Sequence, residues 1–159
     1  SAREAALAPG MQVYGAAHLL DVVAALLDQD PGPGWQRMQR RSEATDSPWL
    51  AHLPESFSIF QWHGDTFALP DGAQPLLSSH WCDNQAFAWG DKVLALQGHP
   101  EMTEELIERW FDDWAHLLDA SQPSQQRIDE MREDLSEKVR ALNQVAEGFY
   151  THWLKLAGL

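Results

Sequence analysis

Apolar residues fall in short, closely spaced runs through the middle of the chain and in long helical stripes after Pro100. Residues 2–7 read as helical and stop at Pro9-Gly10, and residues 11–14 read as a short buried strand ending at Gly15. Leu19, Leu20, Val22, Val23, Leu26 and Leu27 then recur at helical spacing. Residues 11–28 therefore predict a strand, a glycine turn and a helix, half of a parallel βαβ unit. Pro31-Gly32-Pro33-Gly34 breaks regular structure, and residues 35–41 predict a strand leading to a loop around Asp46-Ser47-Pro48. In residues 56–62, Phe57 and Ile59 oppose Phe60 and Trp62. A strand apolar on both faces is expected in the middle of a covered sheet. Three more short strands are predicted at 74–78, 85–89 and 92–97, separated by Asp/Asn and Gly-Asp turn signals.

After Pro100 the period becomes helical. Leu106, Ile107, Trp110, Phe111, Trp114, Leu117 and Leu118 form one stripe, with Thr103 as candidate N-cap and Glu104 and Glu105 at the positive end of the helix dipole. Ile128, Met131, Leu135, Val139, Leu142, Val145, Phe149, Trp153 and Leu156 form a second stripe, the clearest in the chain. An amphipathic helix needs such a face simply to dock, so both stripes are assigned to the core.

With 159 residues and 44% hydrophobic content, the chain is long enough for one core. We read residues 1–159 as a single domain, an α/β part at 1–120 followed by a helical extension at 121–159. The sequence holds neither an apolar run of about 18 residues nor, at its start, the pattern of a signal peptide. Cys82 is the single cysteine, which excludes an intrachain disulfide and a multi-cysteine zinc site. Together these features lead us to expect a cytoplasmic protein without membrane association. The formal net charge of −13 argues against nucleic acid, and the acidity is assigned to a solvated helical surface.

Two motifs could carry chemistry. His63-Gly64-Asp65 and His99-Pro100-Glu101 each follow a predicted strand and place a carboxylate two residues after an imidazole. An imidazole oriented by a carboxylate is half of a nucleophilic triad, and sites in open α/β sheets form at the carboxyl ends of strands. A strand–turn–helix elbow would supply the nucleophile near a helix N-terminus. Here that turn reads Tyr14-Gly15-Ala16-Ala17-His18, with neither cysteine nor serine.

The sequence resembles class I glutamine amidotransferases, in particular the stand-alone members similar to GMP synthetase. The matching text runs from Leu53-Pro54-Glu55-Ser56-Phe57 through Phe60-Gln61-Trp62-His63-Gly64-Asp65-Thr66-Phe67 and Asn84-Gln85-Ala86-Phe87 to Leu96-Gln97-Gly98-His99-Pro100-Glu101. The long final stripe, with Phe149 and Trp153-Leu154, is similar as well. The resemblance implies a partial flavodoxin-like α/β domain with a mostly parallel sheet, an added antiparallel strand region and a C-terminal helical pair. It also implies a reaction in which an elbow cysteine attacks the side-chain amide of glutamine and ammonia is released, His99 and Glu101 completing the triad.

In that alignment Tyr14 occupies the nucleophile position, Gln12 and Ala16 replace two glycines, and His18 replaces a glutamine. Gly15, His18, Trp62, His63 and Asp65 become the candidate binding residues, with glutamine or a related small molecule as ligand and no cofactor. With Ser1 matched to the helix before the elbow, the family's first βα units have no counterpart. An exposed sheet edge covered by a second copy or another protein is therefore expected. The leading expectation is a catalytically silent amidotransferase-like module. The alternatives are an active glutaminase completed by a partner or an upstream segment, and a metal site built from His63, Asp65, His99 and Glu101. The metal site ranks last because the triad and its neighbouring loop already account for those four residues. Cys82, in a loop before a strand, is assigned a structural role.

Overall fold

The computed structural model describes residues 32–121 and 126–157. The predicted helix at 2–7 and the elbow unit at 11–28, with Tyr14, Gly15 and His18, lie outside the described residues. Five strands follow one another: β1 (Gly34–Arg40), β2 (Ser56–Gln61), β3 (Gln74–Ser78), β4 (Ala86–Trp89) and β5 (Val93–Leu96). They form one sheet in the order β2-β1-β3-β4-β5, and every pairing is antiparallel. The expectation of a mostly parallel sheet is therefore corrected for the described residues. Short turn-linked strands such as β4 and β5, joined at Gly90 in a left-handed conformation (φ 59°), can pair only as antiparallel neighbours.

Four antiparallel steps separate β2 from β5, so these two strands run parallel to each other. They also meet: beyond β5, the His99 N–H donates to the Phe60 carbonyl at 2.8 Å. The sheet curls until the ends of its strand order touch. This explains why β2, expected in mid-sheet, stands at the end of the order and yet keeps Ile59, Phe60 and Gln61 almost fully buried.

Three helices cover the sheet where a pair was expected: α1 (Glu104–Ser121), α2 (Ile128–Arg132) and α3 (Leu135–Ala157). The Thr103 hydroxyl accepts from the Leu106 N–H at 3.2 Å and closes the start of α1. The second stripe is split because Asp134 adopts φ 51°, which ends α2 and lets its carbonyl accept from Glu137 and Lys138 at the start of α3. Two short turns of tight helix, Ser42–Ala44 and Pro48–Leu50, fill the β1–β2 connection, and Ala44, Trp49 and Leu50 are buried there. The core joins Met38, Ile59, Phe60, Leu76 and Leu77 of the sheet to Ile107, Phe111, Met131, Leu142 and Phe149 of the helices. Among the described residues no helix is long and apolar enough to cross a membrane.

Candidate functional site

The site is built where β2 and β5 converge at their carboxyl ends. Gly98 makes the convergence possible: a Cβ there would lie 2.4 Å from Gln61 Nε2 and 2.5 Å from Ile59 Cγ2. Only a residue without a side chain lets the backbone at position 98 lie this close to the Gln61 and Ile59 side chains. His99 follows, its main chain fixed by Phe60, and Pro100 is buried behind it. The His99 Nδ1 lies 2.9 Å from Glu101 Oε1. An ionised carboxylate can only accept, so Nδ1 is the donor in this hydrogen bond. The other constraint on the imidazole is Trp110 of α1, which packs edge to face on it with ring centroids 5.0 Å apart and planes at 83°. Trp110 in turn packs on Trp62 at 5.8 Å and on Trp114 at 4.9 Å. Trp62, a candidate binding residue, therefore reaches the His99 loop through Trp110.

His63 and Asp65 form a different structure. The His63 Nδ1 faces the main-chain carbonyl of Asp65 at 3.0 Å, not its carboxylate. The Gln97 amide bridges this loop, its Nε2 lying 2.5 Å from the Asp65 carbonyl and 3.4 Å from His63 Nδ1. The reading of His63 and Asp65 as a carboxylate-oriented imidazole is thus corrected: one glycine between them lets the chain turn so that the carbonyl reaches the ring first. Among the described residues no three His, Cys, Asp or Glu side chains gather into a group able to hold a metal ion. Cys82 Sγ lies 3.2 Å from the Thr66 hydroxyl.

Three contributors escaped the sequence reading. Gln97 is read there as the end of a strand and as part of the text that carries the resemblance, Trp110 as a position in the first helical stripe, and Tyr150 is not singled out. The Tyr150 phenol is pushed above its ordinary range, first by burial and then by the negative charge of Glu101. It therefore belongs to the electrostatic surroundings of the dyad. A tryptophan in the first turns after His-Pro-Glu was the available signal for Trp110, because a helix starting there must cross the imidazole.

As arranged, this site holds an imidazole oriented through Nδ1 beside an aromatic wall, with no partner for Nε2 among the described residues; in the neutral ring that nitrogen can accept a proton or a ligand N–H. No protein-family model matches the chain. Over 56 residues, 35% of its length, it is 38% identical to gamma-glutamyl peptidase 3 of Arabidopsis thaliana, of which that match covers 22%. Its structure is similar to a glutamine amidotransferase from Methylobacillus flagellatus with a TM-score of 0.71 and 30% identity, over 79% of this chain and 52% of that one. A glutamine amidotransferase from Thermotoga maritima shares the fold with a TM-score of 0.67 at 24% identity, over 84% of this chain and 57% of the other. The chain thus spans about half the length of the solved structures it matches, and it is similar to glutamine amidotransferases in both sequence and fold.

Proposed function

We propose that this glutamine amidotransferase-like chain has lost the ammonia-releasing step and persists as a binding module for glutamine or a related small molecule. One observation carries the reading: His99 and Glu101 keep the pairing of a general base and its orienting acid, while Tyr14 stands where the resemblance calls for a thiol. An acyl-enzyme needs a nucleophile that a neighbouring base can activate near neutral pH, and a phenol serves poorly. Loss of a triad nucleophile in other hydrolases costs about a millionfold in rate. The ligand would meet Trp62, His63 and Asp65 beside the His99 imidazole, with Gly15 and His18 contributed by the elbow.

The companion proposal is a second copy of the chain as partner. It is supported by large apolar side chains left exposed at Trp89, Val93, Trp153 and Leu154. The test of function is ammonia release from glutamine by the chain and by Tyr14→Cys. Both are expected to stay at background, because Gln12, Ala16 and His18 also depart from the family elbow. Turnover by the unaltered chain would overturn the silent reading and restore an active glutaminase.

A further inference from the structure

Odd-numbered residues of β1 turn their main-chain groups away from β2 and toward β3. The Arg41 N–H donates to the Leu76 carbonyl at 2.9 Å, and Gln39 stands opposite Ser78. At the other end of the strand, a side chain completes the ladder. The Trp35 N–H donates to Gln126 Oε1 at 2.8 Å, and Gln126 Nε2 donates back to the Trp35 carbonyl at 2.9 Å. Gly34 is left-handed in φ (145°) and a Cβ there would lie 2.7 Å from Gln126 Oε1, so the chain is shaped to admit this carboxamide.

Arg37 lies between these two completed rungs and has the same orientation, yet β3 does not reach it. The chain leaves the ladder at Ser79, whose N–H donates to the Cys82 carbonyl at 2.8 Å and whose hydroxyl accepts from the Trp81 and Cys82 N–H groups. On this edge the Arg37 N–H and C=O meet no described partner. They open into a recess of about 270 Å³ lined by Trp35, Arg37, Gln39, Ser79, Trp81 and Gln126. An open rung is ordinary on an outer strand, but β1 is an interior strand paired on both sides.

We propose that this recess binds a small molecule bearing a primary carboxamide, which completes the rung at Arg37 as Gln126 completes the one at Trp35. The proposal goes beyond the amidotransferase-like reading and does not rest on it. The two neighbouring rungs are each about 7 Å away along the strand, so one amide fits and an added strand does not. A carboxylate would satisfy the N–H and face the carbonyl with a second negative oxygen, and an ester has no hydrogen to donate. A carboxamide serves both groups. Trp81, 37% exposed at the rim, offers an apolar face to the rest of the ligand.

The test follows the Arg37 amide in nitrogen-edited NMR spectra during titration with propionamide, methyl propionate and propionate. In the free protein the Arg37 N–H should exchange with solvent at least tenfold faster than those of Trp35 and Gln39. Propionamide should shift it saturably and slow its exchange at least fivefold, with at least tenfold weaker responses to the ester and the acid. Arg37→Pro removes the N–H on the side facing away from β2, and any shift that propionamide causes at the Trp35 and Gln39 amides of the parent should be lost in it. The exchange comparison uses the unaltered chain and does not depend on that variant folding. Equal protection of all three amides in the free protein would mean the rung is already closed and would overturn the proposal. So would a response to propionamide that fails to saturate or that the ester matches.

Discussion

His63-Gly64-Asp65 and His99-Pro100-Glu101 are spelled alike and sit at the ends of two parallel strands, yet only the second joins its imidazole to the carboxylate of its own motif. In the second loop Pro100 fixes the backbone, and the acid is carried back to His99 Nδ1 at 2.9 Å. In the first, Gly64 has open space around it, and the Asp65 carbonyl takes the place of its side chain against the ring. The residue between histidine and acid decides the chemistry, and the supports differ too. His99 leans on Trp110, whereas His63 is held by the amide of Gln97.

The strongest way to break this contrast is to add a methyl group to each loop. Gly98→Ala drives a Cβ into Gln61 and Ile59, and unfolding in urea should show a loss of about 3 kcal/mol, the upper range for overpacking. Gly64→Ala meets nothing within 4 Å and should stay within about 0.5 kcal/mol of the parent. Equal losses would mean that the two backbones do not converge as described.

Trp110→Ala should cost about 2 kcal/mol, less than a fully buried tryptophan because the ring is only half-buried. It should also move the NMR signals of the His99 ring while leaving those of His63 in place. Gln97→Ala should do the reverse, disturbing His63 at a cost of about 1 kcal/mol. A variant that moved both rings would show the loops to be one unit.

The smallest effect concerns a third histidine, which sharpens the comparison because no acceptor among the described residues holds a proton on its Nε2. His152 packs against Trp49 and His52, and its Nε2 is buried with no hydrogen-bond partner among the described residues. Burial first, then the charges of His52 and Lys155, push its pKa below the ordinary histidine value. The unfolded chain therefore takes up the proton more readily. Stability from this group is fully present above about pH 6.5, the value in the unfolded chain, and is lost as the pH falls from there through the lower value of the folded chain. Urea midpoints at pH 7.5 and 5.5 should differ less for His152→Gln than for the parent.

Much of this architecture was legible in the spacing of apolar residues. Residues 74–78 coincide with β3, and the other strands predicted within the described residues differ from the observed ones by one residue at one or both ends. The helical stripes buried Ile107, Phe111, Met131, Leu142 and Phe149 as expected, whereas Trp114 and Trp153 of the same stripes, also expected in the core, are exposed. Strand direction was not legible, because alternation fixes which face a residue takes and says nothing of which neighbour its backbone meets. Nor was the break at Asp134, since an apolar stripe can cross a left-handed residue without losing its register on the core. At the site, the His99–Glu101 contact is local in sequence, whereas the Trp110 and Gln97 contacts depend on tertiary closure.

That closure also sets an order of assembly. The β4–β5 hairpin and α1 involve neighbours in sequence and can form early, whereas joining His99 to Phe60 must first overcome the entropy of a long loop. At the opposite end of β5, the Trp153 indole donates to the Lys92 carbonyl at 3.0 Å, so the last turns of α3 brace the strand that leads to His99. Pulse-labelled hydrogen exchange should find the β4–β5 amides protected before the His99 amide. During synthesis on the ribosome the strand that leads to the imidazole would gain this brace only after α3 has emerged, which makes that helix a timing element for the site.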